Sequence, residues 1–138
     1  MRRRLFFLLT LNILQVLGCG HTDKHDVDAA GRLAVEFAQT AFIQNRAEQA
    51  YTMLSDGMKR HVNLTNFWIT VARLHSDGYP TFVKLRGVTI ERGERRMVYV
   101  FLAGEGTAGQ RFRYRITMEG SADLGYKVAM FRRQFGGL

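Results

Sequence analysis

Cys19 is the only thiol in this sequence, and it directly follows Gly18 at the end of an apolar run. A thiol is the one side chain that readily forms a thioether, and glycine before it leaves room for a modifying enzyme. Groups able to move a proton are sparse elsewhere. His61 and His75 are the candidates for a general base, with Tyr99, Tyr114 and Tyr126 as partners in the strand-like half of the chain. Such chemistry needs a group of tunable pKa within reach of the substrate proton. No Ser-His-Asp set, metal-ligand spacing or paired carboxylates stand out, and no cofactor is indicated. His21, Asp23, His25, Asp26 and Asp28 cluster in a short polar stretch. That stretch would have to order itself around an ion with no second shell in view, so it reads as a solvated spacer rather than a metal site. Gly104-Glu105-Gly106-Thr107-Ala108-Gly109 has GxGxxG spacing. That spacing cradles phosphates when a strand precedes it and a helix follows; here a strand pattern follows, so it reads as a hairpin tip. The remaining chemistry is charge. Lys84, Arg86, Arg111, Arg113, Arg115 and Lys127 alternate with apolar neighbours, so one face of a sheet gathers them as a basic contact surface.

The leader gives Cys19 its meaning. Arg2, Arg3 and Arg4 form a positive start, and Leu5 to Leu17 an apolar run interrupted by Thr10, Asn12 and Gln15. A spanning helix needs roughly 20 apolar residues, so this run reads as an export signal. Val16-Leu17-Gly18-Cys19 resembles the lipobox of bacterial lipoproteins. The resemblance implies that residues 1–18 are removed and that Cys19 carries two or three acyl chains. Anchoring by a single chain is weak, so stable attachment takes more than one. It also implies a cell-envelope location, with the membrane as partner through the lipid on Cys19. Gly20 rather than Asp follows the cysteine, which resembles the pattern for the periplasmic face of the outer membrane in a two-membrane bacterium.

Charge separates the two halves of what remains. Without the three leader arginines the chain has 17 basic and 12 acidic residues. From Cys19 to Tyr79 the balance is 6 basic to 7 acidic; from Pro80 onward it is 11 to 5. A basic half invites nucleic acid as a partner, but an exported protein meets little of it, so none is expected. Anionic lipid headgroups, cell-wall polymers or acidic proteins are the better candidates. With Cys19 modified no cysteine is left for a disulfide, so packing alone must hold the domain.

The elements that position these groups follow from periodicity. Residues 19–26 form a flexible tether and residues 27–138 one domain. Ala30, Leu33, Ala34, Phe37, Ala38, Ala41 and Phe42 mark one face of a helix from about Val27 to Asn45. Ala47, Ala50, Tyr51 and Leu54 mark a second, ended or kinked at Ser55-Asp56-Gly57, with one more turn over Met58 to Val62. A third, capped by Asn63 or Thr65, buries Phe67, Trp68, Val71, Ala72 and His75. After Pro80 the period becomes two. Strands are expected over Phe82 to Glu91, Met97 to Ala103, Gln110 to Glu119 and Tyr126 to Arg133, as an antiparallel meander. The expected fold class is therefore α+β, with N-terminal helices packed on a curved antiparallel sheet of about four strands.

Three stretches resemble the nuclear-transport-factor-2-like superfamily, the cone-shaped α+β fold. They are Phe37-Ala38-Gln39-Thr40-Ala41 running into Ala50-Tyr51-Thr52-Met53-Leu54-Ser55, Asn66-Phe67-Trp68, and Gly125-Tyr126-Lys127-Val128. A cystatin-like arrangement, with one main helix on a similar sheet, is the alternative. The resemblance implies an apolar pocket inside the cone, with Tyr51, Trp68, Tyr99, Tyr114 and Tyr126 as candidate lining and Met130 sharing a face with Tyr126 and Val128. The function expected is non-catalytic: a lipid-anchored envelope protein that binds a small apolar ligand or an envelope partner. The alternative is a small cone-type enzyme of isomerase or dehydratase kind with a His/Tyr site. A carboxylate or histidine deep in the cavity, bonded to Tyr99, Tyr114 or Tyr126, would put the enzyme first.

Overall fold

The computed structural model describes residues 24–91 and 96–135. The leader, Cys19, His21, Asp23 and the turn over residues 92–95 lie outside them. In chain order the elements are α1 (Val27–Ala38), a π-helical turn (Gln39–Ile43), α2 (Ala47–Thr52), α3 (Asp56–His61), α4 (Leu64–Leu74), β1 (Phe82–Thr89), β2 (Met97–Glu105), β3 (Arg111–Ser121) and β4 (Gly125–Arg133). The architecture is α+β: the helices pack on one face of an antiparallel sheet of order β1-β2-β3-β4. No helix among the described residues is long and apolar enough to cross a membrane.

Asp26 starts α1 by accepting the Ala29 N–H at 2.9 Å. Instead of running on as an α-helix to Asn45, the chain widens after Ala38. The Gln44 N–H reaches the Gln39 carbonyl at 2.9 Å and the Arg46 N–H reaches Thr40 at 3.0 Å. In this wider winding Phe37 and Phe42 meet, their ring centroids 5.7 Å apart. Asn45, at φ 56, ends the segment in the left-handed conformation that asparagine tolerates. Ser55 caps α3 through the Met58 N–H, and Asn63 caps α4 through the Asn66 N–H at 2.8 Å. Ser55-Asp56-Gly57 therefore begins a helix as well as ending one. On α4 Phe67 and Val71 are buried and Trp68 half-buried; Ala72, expected inside, is exposed.

The core lies between the helices and one face of the sheet. Val98, Val100 and Leu102 of β2, and Phe112, Tyr114, Ile116 and Met118 of β3, all point into it. Against them stand Ala30, Ala34, Ala38 and Ala41 of the first helical segment, small residues that let it lie close to the strands, together with Phe37. Phe37, Phe42, Phe67 and Phe131 fill the centre as a packed aromatic group. Burying each ring contributes roughly 2–3 kcal/mol.

Two bulges set the outer strands. In β1, Leu85 pairs with Leu102 and Gly87 with Phe101, so Arg86 is an extra residue. In β4, Thr117 pairs with Met130 and Met118 with Val128, leaving Ala129 extra. A bulge reverses the parity of everything beyond it. Met130, expected to share the inner face with Tyr126 and Val128, is thus turned outward, and Phe131 takes the core position. The two edges of the sheet are unequal. β4 is covered by Met53–Ser55: the Ser55 N–H donates to the Val128 carbonyl at 2.8 Å, and the Val128 N–H to Met53 at 2.9 Å. β1 is the open edge among the described residues.

Candidate functional site: a cationic cleft on the open sheet face

The face of the sheet turned away from the helices carries the basic residues. Pairing stacks them in rows across the strands: Phe82, Glu105 and Arg111; Lys84, Ala103 and Arg113; Phe101, Arg115 and Arg132. The first two rows enclose a cleft of about 530 Å³, lined by Phe82, Lys84, Arg86, Phe101, Arg111, Arg113 and Gln134 among others. Arg86, the extra residue of the β1 bulge, also lines this cleft. Phe82 is 44% exposed here and Phe101 half-buried. The cleft therefore offers flat apolar surface between four cations.

The ion pair found among the described residues joins Arg133 to Asp77, and no described carboxylate lies within 4 Å of Lys84, Arg86, Arg111 or Arg113. Glu105, paired with Arg111 across β2 and β3, also lines the cleft, so four cations stand there against one carboxylate. A concave patch with such an excess concentrates the opposite ion, which makes an anion the natural occupant. A guanidinium can grip a carboxylate or phosphate with two parallel hydrogen bonds.

Of the six basic residues expected on this face, Lys84, Arg86, Arg111 and Arg113 meet in the cleft. Arg115 borders it, half-buried with its Cζ 5.2 Å above the Tyr99 ring and its Nε without a hydrogen-bond partner. Lys127 stands apart, at the far end of β4, and donates to the Thr52 carbonyl at 3.4 Å. Arg132, Gln134 and the two phenylalanines were not legible as parts of the site. The Ala129 bulge decides Arg132, and only strand register brings the others together.

The five residues expected to line an interior pocket do not converge. Tyr99 lies on the opposite face of the sheet from Tyr114. This corrects the expectation: β2 is apolar on both sides, so its alternation does not say which side is inside. Tyr51 donates to the Val62 carbonyl at 3.0 Å, and Trp68 lies half-buried on α4. The Tyr126 hydroxyl takes the Asp26 N–H at 2.7 Å and lies 3.2 Å from His25 Nδ1. Tyr114 is in the core, in a space filled by aromatic rings. Among the described residues no set of three or more His, Cys, Asp or Glu side chains is arranged to hold a metal ion. Gly104–Gly109 closes β2 onto β3, without a helix N-terminus to meet a phosphate; its tip is tied down by Gln110, which donates to the Asp77 carbonyl at 3.1 Å.

His75 caps the C-terminal end of α4 and reaches the sheet through its side chain. It is 3% exposed. Its Nδ1 donates to the Val71 carbonyl at 2.7 Å, because a carbonyl only accepts, and its Nε2 then accepts from the Tyr114 hydroxyl at 2.8 Å. Tyr79 stacks on one side of the imidazole at 4.6 Å and Phe42 packs at 4.8 Å. A histidine bonded to Tyr114 is therefore present, but it sits in packed core, with both nitrogens engaged and no part in the cleft. Burial lowers its pKa below the ordinary 6.5, helped by Arg133 and opposed by the Val71 carbonyl and Asp77. Burial likewise raises the Tyr114 hydroxyl. A histidine with a depressed folded pKa binds fewer protons folded than unfolded, so stability falls as pH drops below 6.5. Urea unfolding of the wild type between pH 8 and 5 should show that loss, and His75→Gln should flatten it. An equal slope in both proteins would remove His75 as its source. Compared with family models, curated proteins and solved structures, the chain matches none of them.

Proposed function

We propose that this chain is a lipid-anchored cell-envelope protein whose sheet face binds an anionic envelope component, without catalysis. The anchor is Cys19, and its support is the leader: three arginines, an apolar run and Gly18 before a lone cysteine. In a two-membrane bacterium Gly20 points to the periplasmic face of the outer membrane. The domain is assigned to the nuclear-transport-factor-2-like cone rather than a cystatin-like fold. The support is the three further helices beyond α1, where a cystatin-like fold has one main helix. A small apolar ligand inside the cone is no longer favoured, because aromatic rings occupy that space.

The observation that carries the reading is the cleft itself: four cations against one carboxylate, around exposed and half-exposed phenylalanines. The chemistry it selects is a phosphate or carboxylate beside a flat or apolar group. Lipid headgroups and cell-wall polymers both provide this, so the test has two arms. The domain from residue 24 onward is mixed with anionic vesicles, and separately with cell-wall fragments, at low and at physiological salt. Binding should weaken with salt, since exposed charges are screened within ~8 Å at physiological ionic strength. Replacing Lys84, Arg111 and Arg113 together with Gln removes three exposed charge contacts. At roughly 0.5–1 kcal/mol each, this lowers affinity about tenfold to a hundredfold. Binding to neither material at low salt, or binding indifferent to the three substitutions, refutes the reading.

One observation favours a second reading, the cone-type enzyme: the His75–Tyr114 pair. It would act as base and hydroxyl partner only after Tyr79 left the imidazole face and substrate displaced part of the aromatic core. The cleft needs no such rearrangement and therefore ranks first.

A further inference from the structure

The chain enters the domain at one end of the sheet. The Lys24 carbonyl accepts the Ala122 N–H at 2.9 Å, fixing the entry point to the turn between β3 and β4. One residue on, the Asp26 N–H and His25 Nδ1 both meet the Tyr126 hydroxyl, at 2.7 and 3.2 Å. The entry is thus held to the hairpin by three contacts. At the tip of that hairpin Leu124 is 86% exposed, and Val27, at the start of α1, is 40% exposed. The turn is tight, with Gly120 at φ 146 and Gly125 at φ 74, conformations other residues rarely adopt.

Lys24 lies five positions after Cys19, and a fully extended chain covers at most about 18 Å over that span. We infer that the β3–β4 hairpin end is the membrane-facing pole of the domain, with Leu124 seated among the lipids, so that the cationic cleft faces away from the anchoring bilayer. This rests on the proposed lipidation of Cys19. β3 runs from Arg111, in the cleft, to Ser121, beside the tip. At 3.3 Å per residue those ends stand roughly 30 Å apart. With that pole on the membrane and the strands standing off it, the cleft lies several Debye lengths of ~8 Å from the headgroups at physiological salt. The headgroups of the anchoring membrane are then the wrong occupant for the cleft. A polyanion standing off that membrane, a cell-wall polymer, is the occupant that the geometry favours.

The test uses the full lipidated chain in vesicles with and without brominated acyl chains, which quench nearby indoles. Trp68→Phe provides the background, into which either Leu124→Trp or Phe82→Trp is placed. Fatty-acid labelling of the same preparation reports anchoring, with Cys19→Ser as the unlabelled control. Leu124→Trp should lose most of its emission in brominated vesicles, while Phe82→Trp, in the cleft, keeps its own. A labelled chain in which the Leu124→Trp indole is unquenched, or Phe82→Trp is quenched as strongly, overturns the orientation while leaving the anchor in place. An unlabelled wild type fails earlier, at the lipidation itself, and the orientation falls with it. Position 124 is nearly free of protein contacts, so the substitution leaves the fold intact; matching circular dichroism spectra would verify this.

Discussion

Phe42→Ala is expected to destabilise the domain by roughly 3–5 kcal/mol, the usual cost of emptying a buried phenylalanine site. Phe42 is fully buried and touches Phe37, His75, Tyr114 and Phe131, with ring centroids between 4.8 and 6.0 Å. Its place at the junction makes the loss larger than that of a peripheral ring. The residue sits in the π-helical turn, and that turn exists to aim it. With the ring gone, the wider winding has lost its compensation, and the helical segment can return to ordinary α-type bonding with a shifted register. The lost volume cannot be refilled by the alanines around it. Urea unfolding measures the effect. Phe42→Leu, which keeps much of the volume, should cost clearly less. Equal stability of Phe42→Ala and wild type would mean that the aromatic group does not pack as described.

Gly120→Ala is expected to cost a similar amount, by a different route. Gly120 lies at φ 146, and a Cβ placed there would overlap the Gly125 carbonyl oxygen across the hairpin. The backbone conformation alone costs of order 1–3 kcal/mol for a residue with a side chain. The overlap with backbone, which cannot rotate away, adds about 1–3 kcal/mol more. The Gly120 N–H also donates to the Arg96 carbonyl at 2.8 Å, so a shifted Gly120 loosens the join to β2. Gly87→Ala is the control: a Cβ there meets nothing within 4 Å. Gly87→Ala should stay within about half a kcal/mol of the wild type. Because Tyr126 pairs with Gly120 and holds Asp26, the Gly120 variant should also free the start of α1, visible as faster amide exchange at Asp26.

Regular periodicity was legible in the sequence, and departures from it were not. The face made by Phe112, Tyr114, Ile116 and Met118 could be read directly, as could the alanine stripe of α1, because each repeats over several residues. A single extra residue leaves no such trace. Nothing around Arg86 or Ala129 distinguishes a bulge from plain alternation, yet the bulge at Ala129 sends Met130 out, brings Phe131 in, and places Arg132 on the basic face. The π-helical turn is silent for the same reason: Gln39 to Ile43 fits an α-helical face just as well. His75 was visible as a titratable candidate at a helix end. Its bond to Tyr114 was not, because the two residues are 39 positions apart and only the folded chain brings the C-cap of α4 to β3. The division of the six basic residues into a cleft, a bordering Arg115 and a remote Lys127 depends on cross-strand register.

The unequal edges of the sheet bear on how this protein avoids self-association. An open strand edge is a template on which another chain can add a strand. Met53–Ser55 closes the β4 side, so only β1 is exposed to that hazard. β1 is guarded by the Arg86 bulge, which breaks the run of evenly spaced backbone donors and acceptors, and by Lys84 beside it. The same residue thus serves two ends: it discourages edge-to-edge stacking and supplies a cation to the cleft. A chain lacking Arg86 would lose that guard on the open edge and a cation of the cleft together.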